Sequence, residues 1–386
     1  MLTPTSFCRA ALAPAIAIAL LAGGCKSSTS STSTAAPAPA TPAPGAANLP
    51  FPVVHDDWAK MGYRLDWIGF PFPAATPSSR VTFAHAADDA VVLQQSDSTL
   101  TLLEPGTGKT RWSTQLAGPL TKFVGINRSP LDANHILVSS ESDIYTVSAA
   151  NGSLLARDRL NRVVNTRPII ENSTAIYGAS TGEIMGHVIG RGVKAWGFMS
   201  TGAVEADPVE VGDAIGFVAQ SGDVLFFSRT GSLVGRGAIY EGLSNDPVAE
   251  NGRLFVAGRD RSVWAFDTLG NQLWRHRTSH RLTLQPTAHN GVLYVSIPTE
   301  GLTAFQQDTG SILWQQPNVQ GTVIAERNGR LLVKEAAGLT LLNPAGGEIV
   351  DRISTPGIAR IDTDKFVDGN LYAVSAKSNV AKFIPR

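Results

Sequence analysis

From about residue 60 onward the chain is a succession of short apolar runs broken by Gly, Asn and Asp, the pattern of brief β-strands joined by tight turns. Arg253-Leu-Phe-Val-Ala and Ser262-Val-Trp-Ala-Phe are representative neighbours. The pattern repeats. Pro168, Pro208, Pro247 and Pro286 are spaced 40, 39 and 39 residues apart, and each opens an apolar run such as Pro-Ile-Ile-Glu or Pro-Val-Ala-Glu. Proline is tolerated at the first position of a strand because no ladder hydrogen bond is lost there.

A second marker keeps the same beat. Seven segments carry a turn glycine followed four residues later by Trp or a smaller residue: Gly108…Trp112, Gly152…Ala156, Gly192…Trp196, Gly231…Gly235, Gly270…Trp274, Gly310…Trp314 and Gly346…Val350. The glycines are 44, 40, 39, 39, 40 and 36 residues apart. Each unit then holds four strands: one opened by the proline, two apolar runs, and one that ends near the Trp. Four short strands in a unit of this size, repeated, predict a β-propeller.

Seven units carry the glycine turn, and the remainder supplies an eighth. After Val350 come only three strand-like runs, Ala359-Arg-Ile-Asp, Asn370-Leu-Tyr-Ala-Val and Asn379-Val-Ala-Lys-Phe. Tyr63-Arg-Leu-Asp-Trp67 is the expected fourth, closing the ring and removing both open sheet edges. The expectation is an all-β fold: one eight-bladed propeller of four-stranded antiparallel blades over residues 51–386. Length alone, at 386 residues, would suggest two or three domains.

The first 50 residues read differently. Arg9, then an apolar run from Ala10 to Ala22 broken by Pro14, then Gly23-Gly24-Cys25, form a secretory signal too short for a membrane span. Leu-Leu-Ala-Gly-Gly-Cys resembles a bacterial lipobox, which would make Cys25 the lipidated first residue after removal of 1–24; it departs from the commonest form by placing Ala22 where leucine is usual. An ordinary signal peptide cleaved nearby is the alternative. From Lys26 to Pro50 the chain is almost only Ser, Thr, Ala and Pro, so 25–50 is expected to be a disordered tether, with a reach on the order of 75 Å if fully extended. Multiple acyl chains on Cys25 would anchor the protein stably, where a single chain would be marginal.

Composition sharpens this picture at two points. Charge is balanced at 32 basic against 32 acidic residues, which gives no electrostatic argument for a nucleic-acid partner. The two cysteines are Cys8 and Cys25. With the signal removed and Cys25 lipidated, no free thiol remains for catalysis, metal binding or disulfides.

Ala265-x-Asp267-x-x-Gly270-x-x-x-Trp274 and Ala304 through Asp308-Thr-Gly310-x-x-x-Trp314 resemble the tryptophan-docking repeat of quinoprotein-like (PQQ-like) propellers. The resemblance implies that Trp112, Trp196, Trp274 and Trp314 pack between blades over the glycine turns, Gly108, Gly192, Gly270 and Gly310 being the glycines of those repeats. Blades two, four and seven have lost the Trp, at Ala156, Gly235 and Val350. With the lipobox, size and N-terminal closure, the chain resembles the BamB family, lipoproteins of the outer-membrane β-barrel assembly machinery. That likeness implies a non-enzymatic scaffold with no cofactor, a monomeric propeller within a complex. It also implies lipid anchoring in the outer membrane facing the periplasm; Lys26 stands where an inner-membrane retention signal would place Asp.

In that family the partner is BamA, engaged through its periplasmic POTRA region. The contact residues lie in loops leading into inner strands of consecutive blades: a Leu-x-Leu-Arg stretch and, one blade later, a pair of aspartates. Alignment on the prolines carries the first onto Leu160-Asn-Arg162-Val163, where Arg162 arrives one residue early, and the second onto Ala203 and Glu205, where one acid is lost. Leu160, Arg162 and Glu205 are therefore the candidate partner-binding residues: a leucine that buries against the partner, flanked by a charge pair.

Other readings stay open. A propeller lipoprotein of the envelope could bind another protein or a glycan. Quinoprotein dehydrogenases share the fold, but typically hold PQQ and calcium over an adjacent cysteine pair that this propeller lacks. Glu104-Pro-Gly-Thr-Gly-Lys109-Thr110 looks like a phosphate loop, yet Leu103 stands where its first glycine belongs. His276-x-x-x-His280 has a metal-like spacing only on a helix, and it follows a strand. His55-Asp56-Asp57 reads as an exposed polar junction, and the histidines at 85, 135, 187 and 289 are isolated. No catalytic residue and no metal site is expected.

Overall fold

The computed structural model describes residues 51–71, 79–87 and 90–386. The expected signal peptide, Cys25 and the tether lie outside the described residues. Among the described residues thirty-two strands form eight four-stranded antiparallel sheets arranged as a β-propeller. Seven blades are contiguous in sequence, at 81–115, 123–159, 169–199, 209–238, 248–277, 287–316 and 321–354. The eighth consists of three strands from 358–385 and the N-terminal strand Tyr63–Gly69. Pairing runs from Tyr63↔Pro385 to Gly69↔Val380, so the expected closure is present.

Burial explains the sequence pattern. The second and third strands of a blade are covered on both faces by neighbouring blades, so they are apolar throughout rather than alternating. Arg253–Gly258 and Ser262–Phe266 are buried almost end to end, whereas the outer strand Gln272–Arg277 is mostly exposed. The hairpins at Asn251-Gly252, Asn290-Gly291 and Asn328-Gly329 place both central residues at positive φ, the conformation of a type I′ turn. Asn and Gly occupy those sites because they adopt it at least cost.

Blades are joined by tryptophans, in a register offset from the one expected. Each docking Trp lies against the turn glycine of the following blade. A Cβ added at Gly152, Gly310 or Gly347 would fall 2.5, 2.6 or 2.5 Å from the rings of Trp112, Trp274 or Trp314. The indole Nε1 groups of these three donate to the carbonyls of Ala149, Gln307 and Pro344 at 2.7–2.8 Å. Trp196 covers Gly231 and stacks on Phe227, with centroids 5.7 Å apart. Trp67 repeats the arrangement across the closure: its ring covers Gly108 and its Nε1 donates to Pro105 O at 2.8 Å.

This offset corrects three readings. A Cβ added at Gly192 would meet nothing within 4 Å, because the preceding blade carries Ala156 in place of Trp. Gly270 is approached instead by the backbone at Arg236, since Gly235 replaces the preceding Trp. In blade seven the positive-φ glycine is Gly347, not Gly346, and the ladder pairs Leu341 with Asp351 as it pairs Ala304 with Trp314, so the lost Trp corresponds to Asp351 rather than Val350.

Candidate partner-binding rim

Antiparallel connectivity puts two kinds of connection on the same rim: the turn between second and third strands, and the loop from each outer strand to the next inner strand. Backbone bonds tie them together. Val164 N donates to Glu141 O at 2.8 Å, Gln220 N to Ala203 O at 2.7 Å, and Thr278 N to Arg261 O at 2.8 Å. Each loop is also pinned by a buried aliphatic residue four positions before its proline: Val164, Val204, Leu243 and Leu282. Sequence reasoning misses these residues, although their fixed distance from each proline marks them. Loops fastened in this way present their remaining side chains from a rigid frame.

Leu160 is not available as an anchor. It is only 4% exposed, packed among Leu137, Ile144, Val164 and Tyr177, and its N–H donates to Ser142 O at 2.9 Å. The apolar side chain this loop offers to solvent is Val163. Arg162 is half-exposed, and its Nε donates to Glu183 Oε2 at 2.8 Å. Glu183 also accepts from Lys194 Nζ at 2.9 Å; Lys194 first and Arg162 next hold its carboxyl below the usual range against the opposing effect of burial. Glu205, on the next loop, is exposed and accepts from Gln220 Nε2 at 3.0 Å. Gln220 Oε1 in turn accepts from Arg259 at 3.2 Å, which carries the network to the following blade.

The rim has a regular charge arrangement. The residue opening the third strand is a carboxylate in three consecutive blades, Asp143, Glu183 and Asp223. Asp143 receives both forks of Arg157 at 2.9 and 3.1 Å, and Arg236 donates to Asp223 at 2.8 Å. In both, burial pushes the carboxyl pKa up, but hydrogen bonds and cations outweigh it and the net shift is downward.

A second concavity lies on the ring axis: a cavity of about 650 Å³ lined by the residues around the blade prolines. Asp207 Oδ1 accepts from Arg167 N at 2.7 Å and Asp246 Oδ1 from Asp207 N at 2.8 Å, so each carboxylate caps the backbone of the preceding blade. Burial and the nearby Asp246 carboxylate push the Asp207 pKa up to about 6, the Arg167 N–H and guanidinium opposing less strongly. Folded protein thus holds a proton that the unfolded chain releases near pH 4. The stabilisation is complete below that pH and is lost as pH rises through about 6, an effect on the order of 3 kcal/mol. Asp207→Asn keeps the acceptor oxygen and is expected to flatten this fall; urea midpoints measured at pH 4 and 7 for both proteins check it.

Among the described residues no aromatic ring lines this cavity to stack a flat quinone, and Asp207 and Asp246 are engaged with backbone N–H groups. Its residues therefore do not fit PQQ. The remaining sequence candidates are dispersed. His276 lies against Phe305, His280 bonds Ser279, and Glu104–Lys109 is a hairpin turn. The stretch His55–Lys60 is a short helix with His55 and Asp56 exposed, and Asp57 pairs with Lys60 within it. Among the described residues no group of three or more His, Cys, Asp or Glu is placed to hold a metal ion, and no helix is long and apolar enough to cross a membrane.

The closed ring of eight blades with tryptophans docked over glycine turns is a PQQ-like β-propeller. The family model of outer membrane protein assembly factor BamB matches residues 66–198, 96–224 and 220–385, and the chain belongs to that family. The crystal structure of BamB from Moraxella catarrhalis has the same fold, with a TM-score of 0.63 and 17% identity, over 79% of this chain and 95% of that one. So does the computationally designed Ika8 protein, with a TM-score of 0.66 and 12% identity, over 83% and 99% of the two chains. No curated protein sequence matches. The family and fold support an interaction scaffold in general terms.

Proposed function

We propose that this protein is a non-enzymatic scaffold of the bacterial envelope, anchored in the outer membrane through lipid on Cys25 and facing the periplasm. Residues 1–24 are its export signal and 25–50 its tether, and the propeller of 51–386 holds a BamA-like partner by the POTRA region during β-barrel assembly. The observation that carries this reading is the rim. Consecutive loops are each clamped by a buried aliphatic residue and backbone bonds, yet leave Arg162, Val163 and Glu205 facing solvent. Val163 takes the place of Leu160 as the apolar contact, and Arg162 and Glu205 supply charges of opposite sign. Rigid presentation lowers the ordering cost of association.

Crosslinking in intact cells followed by purification is expected to recover barrel-assembly subunits with the wild-type protein. The double reversal Arg162→Glu and Glu205→Arg is expected to reduce that recovery about tenfold, as loss of a charged contact at a protein interface does. Undiminished recovery with the double variant removes these residues from the interface. Recovery of no barrel-assembly subunit by the wild type removes the function. Adding PQQ with calcium is expected to give neither an absorbance change nor dye reduction.

A further inference from the structure

The alternation of carboxylate and cation along the rim breaks at blade five. Where blades two, three and four open their third strand with Asp143, Glu183 and Asp223, blade five has Ser262. The outer-strand arginine survives. Arg275 occupies the place of Arg157 and Arg236, and with only a hydroxyl to meet, its Nε and NH2 donate to Ser262 Oγ at 3.0 and 2.9 Å. Directly across the ladder from Ser262 stands Arg277, as Arg159 stands across from Asp143.

Three further arginines close around this gap in negative charge. Arg259 and Arg261 flank the turn of the same blade, Arg261 at a φ of 60°, and Arg281 comes from the following loop. Together with Tyr240, Glu241 and Asp260 they line an open pocket of about 470 Å³ holding five guanidiniums against two carboxylates. Both carboxylates already have partners, although Asp260 Oδ1 is buried without one. Glu241 Oε1 receives both Arg259 at 3.1 Å and Arg281 at 3.2 Å, while Asp260 Oδ2 accepts from Trp264 Nε1 at 2.9 Å and Tyr240 N at 3.3 Å. The exposed guanidiniums of Arg261 and Arg277 have no hydrogen-bond or ion-pair partner among the described residues.

An aromatic wall completes the pocket. The Arg275 guanidinium lies 4.3 Å from the centroid of Trp264 and 4.7 Å from that of Tyr240, and Tyr240 itself is 75% exposed. Tyrosine, tryptophan and arginine are the residues on which binding energy concentrates at protein interfaces, and a guanidinium held by stacking is fixed in plane for two-pronged binding of a carboxylate. Through Arg259 and Gln220 the pocket is continuous with Glu205 on the rim.

We propose that the blade-five pocket of Arg259, Arg261, Arg275, Arg277 and Arg281 is a docking site for an acidic segment of a partner protein, its Asp or Glu carboxylates replacing the missing carboxylate at Ser262 and its backbone lying against Tyr240. This rests on the reading of the rim as the partner-binding surface, and extends it from the third and fourth blades to the fifth. An acidic peptide fits the pocket better than a membrane surface does. The arginines sit in a concavity beside an aromatic anchor rather than on a flat or convex face, and the pocket is continuous with Glu205 on the rim proposed above to hold a protein.

The test uses the purified propeller and a fluorescent deca-glutamate peptide, followed by anisotropy. Wild type is expected to bind, more weakly as salt is raised. Arg261→Glu with Arg277→Glu is expected to raise Kd at least about tenfold, because a like charge then faces each carboxylate, and the alanine pair should give an intermediate loss. A control reversal of the same size, Arg191→Glu with Arg330→Glu, should leave binding unchanged; circular dichroism should show all variants folded. Equal binding by wild type and the blade-five variants overturns the proposal, and leaves the Arg162 and Glu205 experiment to decide the rim reading separately. Binding to phosphatidylglycerol vesicles without binding to the peptide overturns it in favour of a lipid headgroup.

Discussion

Deletion of residues 51–69 is expected to abolish the folded monomer, leaving a chain that aggregates and melts without a cooperative transition. The segment supplies more than a fourth strand. Phe51, Trp58, Met61 and Tyr63 are buried with Leu371, Ala373 and Phe383 in one core cluster, and Trp58 stacks on Phe383 with centroids 3.6 Å apart. Trp67 reaches the other way, into the core shared with the first blade. Five side chains at about 2 kcal/mol each amount to most of the stability of an ordinary domain.

The same deletion strips the partner from the strand Val380–Pro385 and leaves an apolar edge open to another chain. It also takes one acceptor from a buried cation, which keeps Asp368, Asn328 and the Arg386 carbonyl as partners. Arg327, with its side chain 8% exposed, donates Nε to Gly62 O at 3.0 Å and NH2 to Arg386 O at 2.5 Å, so it holds both ends of the ring together. A buried Nε–H left without its acceptor costs more than the bond itself. Size-exclusion chromatography with light scattering, alongside thermal melts followed by circular dichroism, decides the matter; a monomer with an undiminished cooperative melt would show that the ring does not depend on its N-terminal strand.

The eight-bladed ring could be read from sequence because its signals are local. A proline that opens a strand and a glycine that must take positive φ in a turn each depend on their immediate neighbours, and both recur with the blade. What crosses between blades is not marked in this way. That Trp274 covers Gly310 rather than Gly270 depends on how sheets stack, and the choice between Gly346 and Gly347 depends on a ladder register that two adjacent glycines leave open. Leu160 misleads for a related reason. A leucine at the start of a loop looks like a surface anchor until Leu137, Val164 and Tyr177 are seen to enclose it.

The basic pocket is invisible in sequence for the opposite reason. Its arginines lie at 259, 261, 275, 277 and 281, in three separate segments of a chain whose charges balance overall, and the informative event is an absence of charge at Ser262. That absence has meaning only once the blades are laid over one another and Asp143, Glu183 and Asp223 are seen to occupy the same place. A repeat protein thus reports its specialised positions as departures from its own consensus, and the registered structure is needed to see them.

Replacing Trp274 by alanine is expected to cost about 4 kcal/mol, and replacing Trp196 about half of that. The two occupy the same position in their blades, so the contrast isolates what docking supplies. Trp274 is buried between Phe255 and Phe305, covers Gly310, and satisfies the Gln307 carbonyl with its Nε1. Removing it opens a cavity and strips a buried acceptor of its donor. Trp196 covers Gly231 but is only half-buried, with its ring partly open to solvent beside Phe227, so truncation leaves a dent that water can fill. For a ring of this size the changes correspond to falls in Tm of roughly 6 and 3 °C. Calorimetry of both variants checks the order. Equal losses would mean that area over the glycine, which the two share, governs docking; a larger loss at Trp274 means that burial and the indole hydrogen bond do, and that the blades joined through Ala156, Gly235 and Asp351, which supply neither, are the weaker seams of the ring.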